Sequence, residues 1–147
     1  MEICLMRQGH PLWEKTISFA QSCSWRAGPV LAERMKKNAF LDWERVIAAA
    51  EGGAVAGYCA FSEKDGLPDG SGYGPFISFV FVDEKNRGRR LSERMIREAL
   101  RYAKALGFET VYLLSGEKGL YEKYGFHRIG DAETVYGTAD GLFVIRT

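Results

Sequence analysis

Cysteine and histidine are scarce in this sequence, which limits the covalent and metal chemistry open to it. Cys4, Cys23 and Cys59 are odd in number, lie far apart and form no CxxC motif, and His10 and His127 are the only histidines. Disulfide scaffolds and zinc sites both need clusters of these residues. The composition therefore argues against a disulfide framework and against a metal site, and it favours a reducing, cytoplasmic location.

Long apolar segments and a strong charge imbalance are also missing. No apolar run reaches about eighteen residues and no charged-then-apolar leader occurs, so we expect neither a membrane span nor a signal peptide. The net charge of +1 argues against nucleic acid as the main partner. With 147 residues, 46% of them hydrophobic and 27% charged, the chain has an ordinary globular composition. We predict one domain over residues 1–147.

The clearest structural pattern runs from Phe76 to Leu106. Phe76 to Val82 is rich in aromatic and β-branched residues, which predicts a buried strand. From Leu91 onward, apolar residues recur at the spacing of one helical face, and Gly107 follows where a left-handed C-cap is expected. Thr110 to Ser115 is predicted to be the next strand. Such a strand–helix–strand crossover demands one parallel pair inside the sheet.

Weaker patterns before and after this stretch predict a mixed α and β class, with one layered sheet and helices packed on it. The helices are expected over Pro11 to Cys23, Pro29 to about Ala39 with a doubtful continuation to Trp43, and Gly116 to Tyr124. The further strands are expected over Met1 to Arg7, Arg45 to Ala50, Ala54 to Phe61, Phe126 to Ile129, Ala132 to Tyr136 and Leu142 to Arg146.

The turn between the central strand and helix is strongly basic. From Lys85 to Lys104 there are eight Lys and Arg residues against two Glu, on a chain whose net charge is only +1. The first N–H groups of a helix lack intrahelical partners, and Gly88 allows close approach of a ligand, so the junction is typical of a phosphate site. A solvated helix surface with Glu93–Arg97 and Arg94–Glu98 pairs would give the same composition.

Two motifs carry a resemblance to a known family. Val82 to Ser92 resembles the pyrophosphate loop of the GNAT superfamily of N-acetyltransferases, and Gly119 to Phe126 resembles that family's tyrosine helix ending in Gly-Phe. One helix and one strand separate the motifs, as in the family. The resemblance implies an α+β fold with a central, mostly antiparallel sheet of six to seven strands, splayed at the cofactor cleft and flanked by about four helices.

The resemblance also implies an activity and a donor site. It implies transfer of an acetyl group from acetyl-CoA to a primary amine of a small molecule or peptide, by direct attack through a tetrahedral intermediate. Pantetheine would bind the backbone of the open central strand, and pyrophosphate would bind the amides of the turn. The residues carried over are Val80, Phe81 and Val82 for pantetheine and Arg87, Gly88, Arg89, Arg90, Leu91 and Ser92 for pyrophosphate.

The proton donor to the departing thiolate is, by its place in the motif, Tyr121. A phenol with a pKa of about 10 is neutral at pH 7 and can donate to a thiolate whose thiol titrates near 8.5. The alternative for Tyr121 is a packing role, which is the role we expect for Tyr124. No general base is identifiable, and the candidates acting through water are Glu63, Asp65, Asp83 and His127.

The loop departs from the family pattern at two glycine positions, where Arg90 and Ser92 stand instead. We expect helical backbone angles at Arg90, because a Cβ tolerates them. The acceptor site is expected between the first two helices, the loop from Ser62 to Pro75 and the last two strands. A homodimer through the C-terminal strand edges is plausible.

Two other functions remain open at this level. The first is a non-catalytic acyl-CoA-binding module of the same fold, acting as a sensor or as a partner-binding subunit. The second is a nucleic-acid contact through the arginines of the central helix, although these lack the interleaved aromatic residues of single-strand binders.

Overall fold

A seven-stranded sheet forms the centre of the protein in a computed structural model that describes residues 1–147. The strands lie in the order β1-β2-β3-β4-β5-β7-β6, and every neighbouring pair is antiparallel except β4 and β5, which are parallel. The strands are β1 (Glu2–Met6), β2 (Arg45–Glu51), β3 (Ala54–Ser62), β4 (Phe76–Val82), β5 (Thr110–Ser115), β6 (His127–Glu133) and β7 (Ala139–Arg146).

Helices cover both faces of the sheet and create two separate cores. One face packs against α3, whose apolar side is buried together with Tyr121 and Phe126. The other face packs against α1 and α2, with Tyr58 and Phe81 among the buried residues. The α+β class and the parallel crossover are thus confirmed. The helices are α1 (Trp13–Ser22), α2 (Gly28–Lys36), α3 (Leu91–Ala105) and α4 (Leu120–Lys123), with a short 3-10 helix at Glu84–Asn86.

The predictions from the sequence were wrong mainly at the ends of helices and strands. The second helix ends at Lys36 rather than continuing toward Trp43. The helix predicted from Gly116 is only the single turn Leu120–Lys123, because Gly116 and Gly119 precede it and Gly119 has a left-handed φ of 84°. Residues 127–133 form one strand, β6, which pairs with β7, so the two strands predicted over 126–129 and 132–136 are merged, and residues 134–136 lie in the turn after it rather than in a strand.

The sheet splits between β4 and β5. Only Phe76 and Tyr112 pair across these strands, so β4 keeps an open edge toward β5 from Ile77 to Val82. On its other edge β4 carries a bulge, since two residues, Phe79 and Val80, lie opposite the single residue Cys59 of β3. A bulge bends its strand and increases the local twist, so it helps to direct β4 away from β5.

Glu44 fixes the start of the loop that follows β3. Its carboxylate is buried at 5% exposure, accepts hydrogen bonds from the Leu41 and Glu63 amides at 2.7 Å each and pairs with Arg34 at 3.3 Å. Arg34 also donates to the Ser62 hydroxyl at 3.2 Å. Sequence patterns give no signal for this residue, because a lone glutamate before a strand is normally solvated.

None of the helices has both the length and the apolar character needed to cross a bilayer. No group of three or more His, Cys, Asp or Glu side chains is arranged to hold a metal ion.

Candidate active site

A cleft of about 1530 Å³ opens where β4 and β5 part. Its walls include the β4 segment from Ile77 to Val82, the turn before α3, the end of β5 and the α4 turn. The α1–α2 connection from Ser24 to Ala27 forms the opposite wall. The two sequence motifs, which are about 30 residues apart in the chain, therefore meet in one cavity.

The first turn of α3 presents backbone donors at this cleft. Leu91 and Ser92 begin the helix, so their N–H groups have no intrahelical acceptor and carry the positive end of the helix dipole. Gly88 has a φ of 84°, and a Cβ built there would meet nothing within 4 Å. The glycine is therefore required by the backbone conformation of the turn, while the space beside it is free for a ligand.

The helical backbone predicted for Arg90 is wrong. Arg90 has φ 58° and ψ 30°, a left-handed conformation, and forms the N-cap of α3 without a side-chain capping bond. The turn thus has the backbone shape that a glycine would give at this position, with an arginine in its place. A left-handed L-residue costs about 1 to 2 kcal/mol relative to the right-handed region.

Arg90→Gly is therefore expected to raise the free energy of unfolding by about 1 kcal/mol, because the strain disappears while a more flexible unfolded chain offsets part of the gain. Urea denaturation of both proteins measures this. Arg94→Gly, inside α3, is the matched control and should destabilise by about 1 kcal/mol. A destabilised Arg90→Gly protein would contradict a strained turn.

The three arginines of the turn have different surroundings. Arg87 lines the cleft, donates to the Val82 carbonyl at 3.1 Å and lies 5.8 Å from the Phe81 ring centre. Arg90 also lines the cleft and is highly exposed. Arg89 does not line it, because its guanidinium reaches across to Glu51 at 3.0 Å. Among the arginines of the turn, Arg87 and Arg90 are thus the ones whose charges are available to an anion in the cleft.

The three β4 residues expected to contact pantetheine all line the cleft. Phe81 is directed into the α1–α2 core, where its ring stacks on Trp25 at 5.8 Å with an interplanar angle of 6°. Val80 and Val82 pack toward the α3 core. The side chains of these three residues are therefore committed to packing, which leaves their backbone on the open edge of β4 available to a ligand.

Tyr121 lies at the boundary between the α3 core and the cleft. It is 5% exposed, and its ring packs edge-on against Tyr124 and Phe126 at centroid distances of 6.1 and 6.0 Å. Burial, together with the nearby Glu117 carboxylate, raises the pKa of Tyr121 above its ordinary value. The phenol is therefore fully protonated at neutral pH and is available as a hydrogen-bond donor.

Tyr124 was expected to be a core residue, and it has a second contact that the sequence did not indicate. The ring packs against the α3 core, while its hydroxyl forms a 2.8 Å hydrogen bond with the Ser92 hydroxyl on the cleft wall. Ser92 stands at the second glycine position of the loop. Its hydroxyl thus ties the start of α3 to the α4 turn, a contact that a glycine at that position could not make.

Only one of the candidate bases lines the cleft. Asp65 does, whereas Glu63, Asp83 and His127 do not. Burial and, to a smaller extent, the Asp140 carboxylate raise the pKa of the Asp65 carboxyl to about 6, while Arg34 opposes the shift. Asp140 was missed by the sequence analysis, since an aspartate between Ala139 and Gly141 reads as ordinary turn chemistry.

A family model matches this arrangement over most of the chain. The model described as the acetyltransferase (GNAT) family covers residues 13–126, well over half of the 147 residues. The chain belongs to the GNAT family of acetyltransferases. The match includes the central strand, the basic turn, α3 and the Gly-Phe end of the tyrosine helix, which are the segments that carried the resemblance. Acetyl-CoA is the acyl donor of this family.

Solved structures of GNAT proteins share the fold at low sequence identity. An aminoglycoside 6'-N-acetyltransferase complexed with coenzyme A is 14% identical, with a TM-score of 0.74 over 99% of this chain and 97% of that one. The aminoglycoside 6'-N-acetyltransferase from Enterococcus faecium is 15% identical, with a TM-score of 0.76 and the same coverage. A GNAT family N-acetyltransferase from Escherichia coli in complex with CoA is 23% identical, with a TM-score of 0.69 over 99% of this chain and 80% of that one. No curated protein sequence matches the chain significantly.

Proposed function

We propose that this protein is an N-acetyltransferase that transfers the acetyl group of acetyl-CoA to a primary amine within a ternary complex. The observation that supports this most directly is that the open edge of β4, the first turn of α3 and Tyr121 all line one cleft. Bound acetyl-CoA would supply an activated thioester carbonyl, and the protein would supply binding, orientation and proton transfer.

The donor fits backbone groups that have few partners inside the protein. The Val80 to Val82 edge of β4 does not pair with β5, and only its Val82 carbonyl accepts a hydrogen bond, from the Arg87 side chain at 3.1 Å, so the amide groups of pantetheine can add to it as a peptide adds to a sheet. Among the amides from Arg87 to Ser92, that of Arg87 donates to the Glu84 carbonyl at 3.3 Å, and the others can hold the pyrophosphate, with the Arg87 and Arg90 charges beside it. The turn joins the end of β4 to the start of α3, so the open strand edge and the helix N-terminus follow one another. An elongated ligand can therefore contact both.

The reaction balances with few protein groups. The neutral amine nitrogen attacks the thioester carbonyl carbon, the carbon–nitrogen bond forms, and the carbon–sulfur bond then breaks. A backbone N–H on the open edge of β4 would stabilise the negative charge on the carbonyl oxygen. The nitrogen loses a proton to solvent, and the thiolate gains one from Tyr121, which recovers it from solvent.

Calorimetric titration with acetyl-CoA, CoA and dephospho-CoA tests the donor site first. We expect dissociation constants of about micromolar for acetyl-CoA, that is, roughly −8 kcal/mol. Weaker dephospho-CoA binding would assign the 3'-phosphate to the basic turn. No binding at millimolar donor would contradict the proposal.

Thiol release in the presence of primary amines then tests transfer. Release above the rate of acetyl-CoA hydrolysis is the expected result. Tight donor binding without release for any amine in a broad set would instead support the non-catalytic acyl-CoA-binding module.

A further inference from the structure

Three polar side chains in the cleft have no role in holding the donor. Ser78, Asp65 and Asp140 all line it. Ser78 is 6% exposed, and its hydroxyl oxygen is the one buried side-chain polar atom of the chain without a hydrogen-bond partner. Burying a hydroxyl without a partner costs about 1 to 3 kcal/mol. A ligand polar group in the cleft would remove this cost.

Asp65 and Asp140 come from distant segments that the fold brings together. The Asp65 loop is held on the β6–β7 connection by a 2.7 Å hydrogen bond from the Val135 amide to the Gly66 carbonyl. Asp140 lies at the start of β7, and its Oδ1 is directed toward Gly116, where an added Cβ would lie 3.8 Å away. Both carboxylates therefore border the end of β5.

Neither carboxylate has a cationic partner. No Lys, Arg or His nitrogen lies within 4.0 Å of either, and the nearby Arg34 pairs with Glu44 instead. The pKa of Asp65 is raised to about 6, mainly by burial and next by the nearby Asp140 carboxylate. This end of the cleft thus holds two carboxylates without an ion-pair partner.

These groups lie on the side of the sheet opposite to the donor-binding helix. Ser78 pairs with Ala60, which belongs to the α1–α2 core. Phe143 packs in the α3 core, so Asp140, an odd number of residues away along the same strand, faces the other side. Ser78 is also only two residues beyond Phe76, the one residue of β4 that pairs with β5. It therefore lies where the gap in the sheet begins.

We infer that Asp65 and Asp140 bind a protonated, non-reacting amino group of the acceptor, while Ser78 accepts a hydrogen bond from the amino group that reacts at the gap. The acceptor class is then a small molecule with at least two amino groups. This inference rests on the proposed function, because it assigns the acceptor side of the same cleft. It predicts discrimination against acceptors that carry a carboxylate near the amine, such as amino acids.

The test compares three acceptors of the same chain length under acetyl-CoA saturation. They are 1,4-diaminobutane, 1-aminobutane and 4-aminobutanoate, whose far ends are cationic, apolar and anionic. Thiol release should give a kcat/KM at least about 10-fold higher for the diamine than for the monoamine, and the anionic compound should be the poorest. In an Asp65→Asn/Asp140→Asn double variant, the three values should fall within about threefold of one another.

A matched control variant separates the site from general charge effects. Asp69→Asn removes one charge from the same loop, but Asp69 is exposed, pairs with Lys64 at 3.0 Å and does not line the cleft. It should keep the diamine preference. The KM for acetyl-CoA should stay unchanged in all variants, since none of these aspartates borders the turn before α3.

A binding readout that needs no turnover distinguishes this inference from the proposed function. Carboxyl NMR titration of the CoA-saturated protein should show that millimolar 1,4-diaminobutane lowers the pKa of Asp65, and that the uncharged 1-butanol does not. A lowered pKa without thiol release would keep the cation site and reject the transferase. Thiol release with no diamine preference, or a preference that survives the double variant, would overturn the inference and leave the transferase intact. If the protein shows no thiol release and no change in the pKa of Asp65, the inference is overturned as well.

Discussion

Replacing Tyr121 by phenylalanine is expected to lower kcat for acetyl transfer by about 100-fold or more, within the usual range for a lost general acid. The ring keeps its contacts with Tyr124 and Phe126, so packing is preserved while the donor hydroxyl disappears. Burial raises the pKa of the phenol, but a thiolate leaving into the same cleft is equally poorly solvated and equally in need of a proton. The KM for acetyl-CoA should change little, because the phenol acts on the departing sulfur.

Tyr124→Phe is the matched control for this experiment. It removes a hydroxyl from the neighbouring tyrosine of the same α4 turn, whose partner is the Ser92 hydroxyl at 2.8 Å. We expect a loss of about 1 kcal/mol in unfolding free energy and less than about a fivefold change in kcat. Equal kcat for Tyr121→Phe and wild type would reject Tyr121 as the acid, and a loss of protein fold in Tyr121→Phe, seen by circular dichroism, would assign it to packing.

The parts of the fold that were predictable are those with a strong local signal. The strand at Phe76–Val82 and the helix from Leu91 have opposite hydrophobic periods, and Gly107 marks the helix end, with a φ of 93°. Here sequence and structure agree within one residue. The boundaries around α4 were wrong because a single turn between glycines has too few residues to show any period.

The parts of the site that were not predictable depend on contacts between distant segments. The sequence around Asp140 is typical of a turn. Its carboxylate lies near that of Asp65 only because the Asp65 loop packs on the β6–β7 connection. Arg90 was assigned helical angles on local grounds, since a Cβ disfavours the left-handed region. The geometry of the turn between strand and helix prevails over that preference, and the arginine adopts φ 58°.

The split between β4 and β5 would give the proposed donor and acceptor sites access to each other from opposite faces of the sheet. An intact sheet would separate the α3 core from the α1–α2 core along its whole length. Because only Phe76 of β4 pairs with β5, at Tyr112, the gap beyond this pair connects the two faces of the sheet. Tyr121 and the α3 terminus border the gap from one side, and Ser78, Asp65 and Asp140 border it from the other. An acyl group held in the gap can then be reached by an amine that never crosses the donor.

Arg87→Glu is expected to weaken CoA binding by about 30- to 100-fold. The substitution removes a favourable charge beside the pyrophosphate and adds a repulsive one, and the two effects together are worth about 2 to 3 kcal/mol at a partly exposed site. Arg87 lines the cleft, and its only ion-pair partner, Glu84, lies 3.8 Å away at the exposed surface. Its charge is therefore largely free to act on a bound anion. Calorimetric titration with CoA at 0.1 M salt measures the effect.

Arg89→Glu supplies the control because it makes the same change in net charge two residues away. Its guanidinium already pairs with Glu51 at 3.0 Å outside the cleft, so reversal should cost CoA binding no more than about threefold, as screening at a Debye length of about 10 Å allows. The ratio between the two variants is the decisive quantity. Equal losses would mean that CoA responds only to the overall charge of the turn, and no loss for Arg87→Glu would remove the pyrophosphate from this end of the cleft. A large ratio would assign the phosphate contact to the one arginine whose side chain faces the open edge of β4.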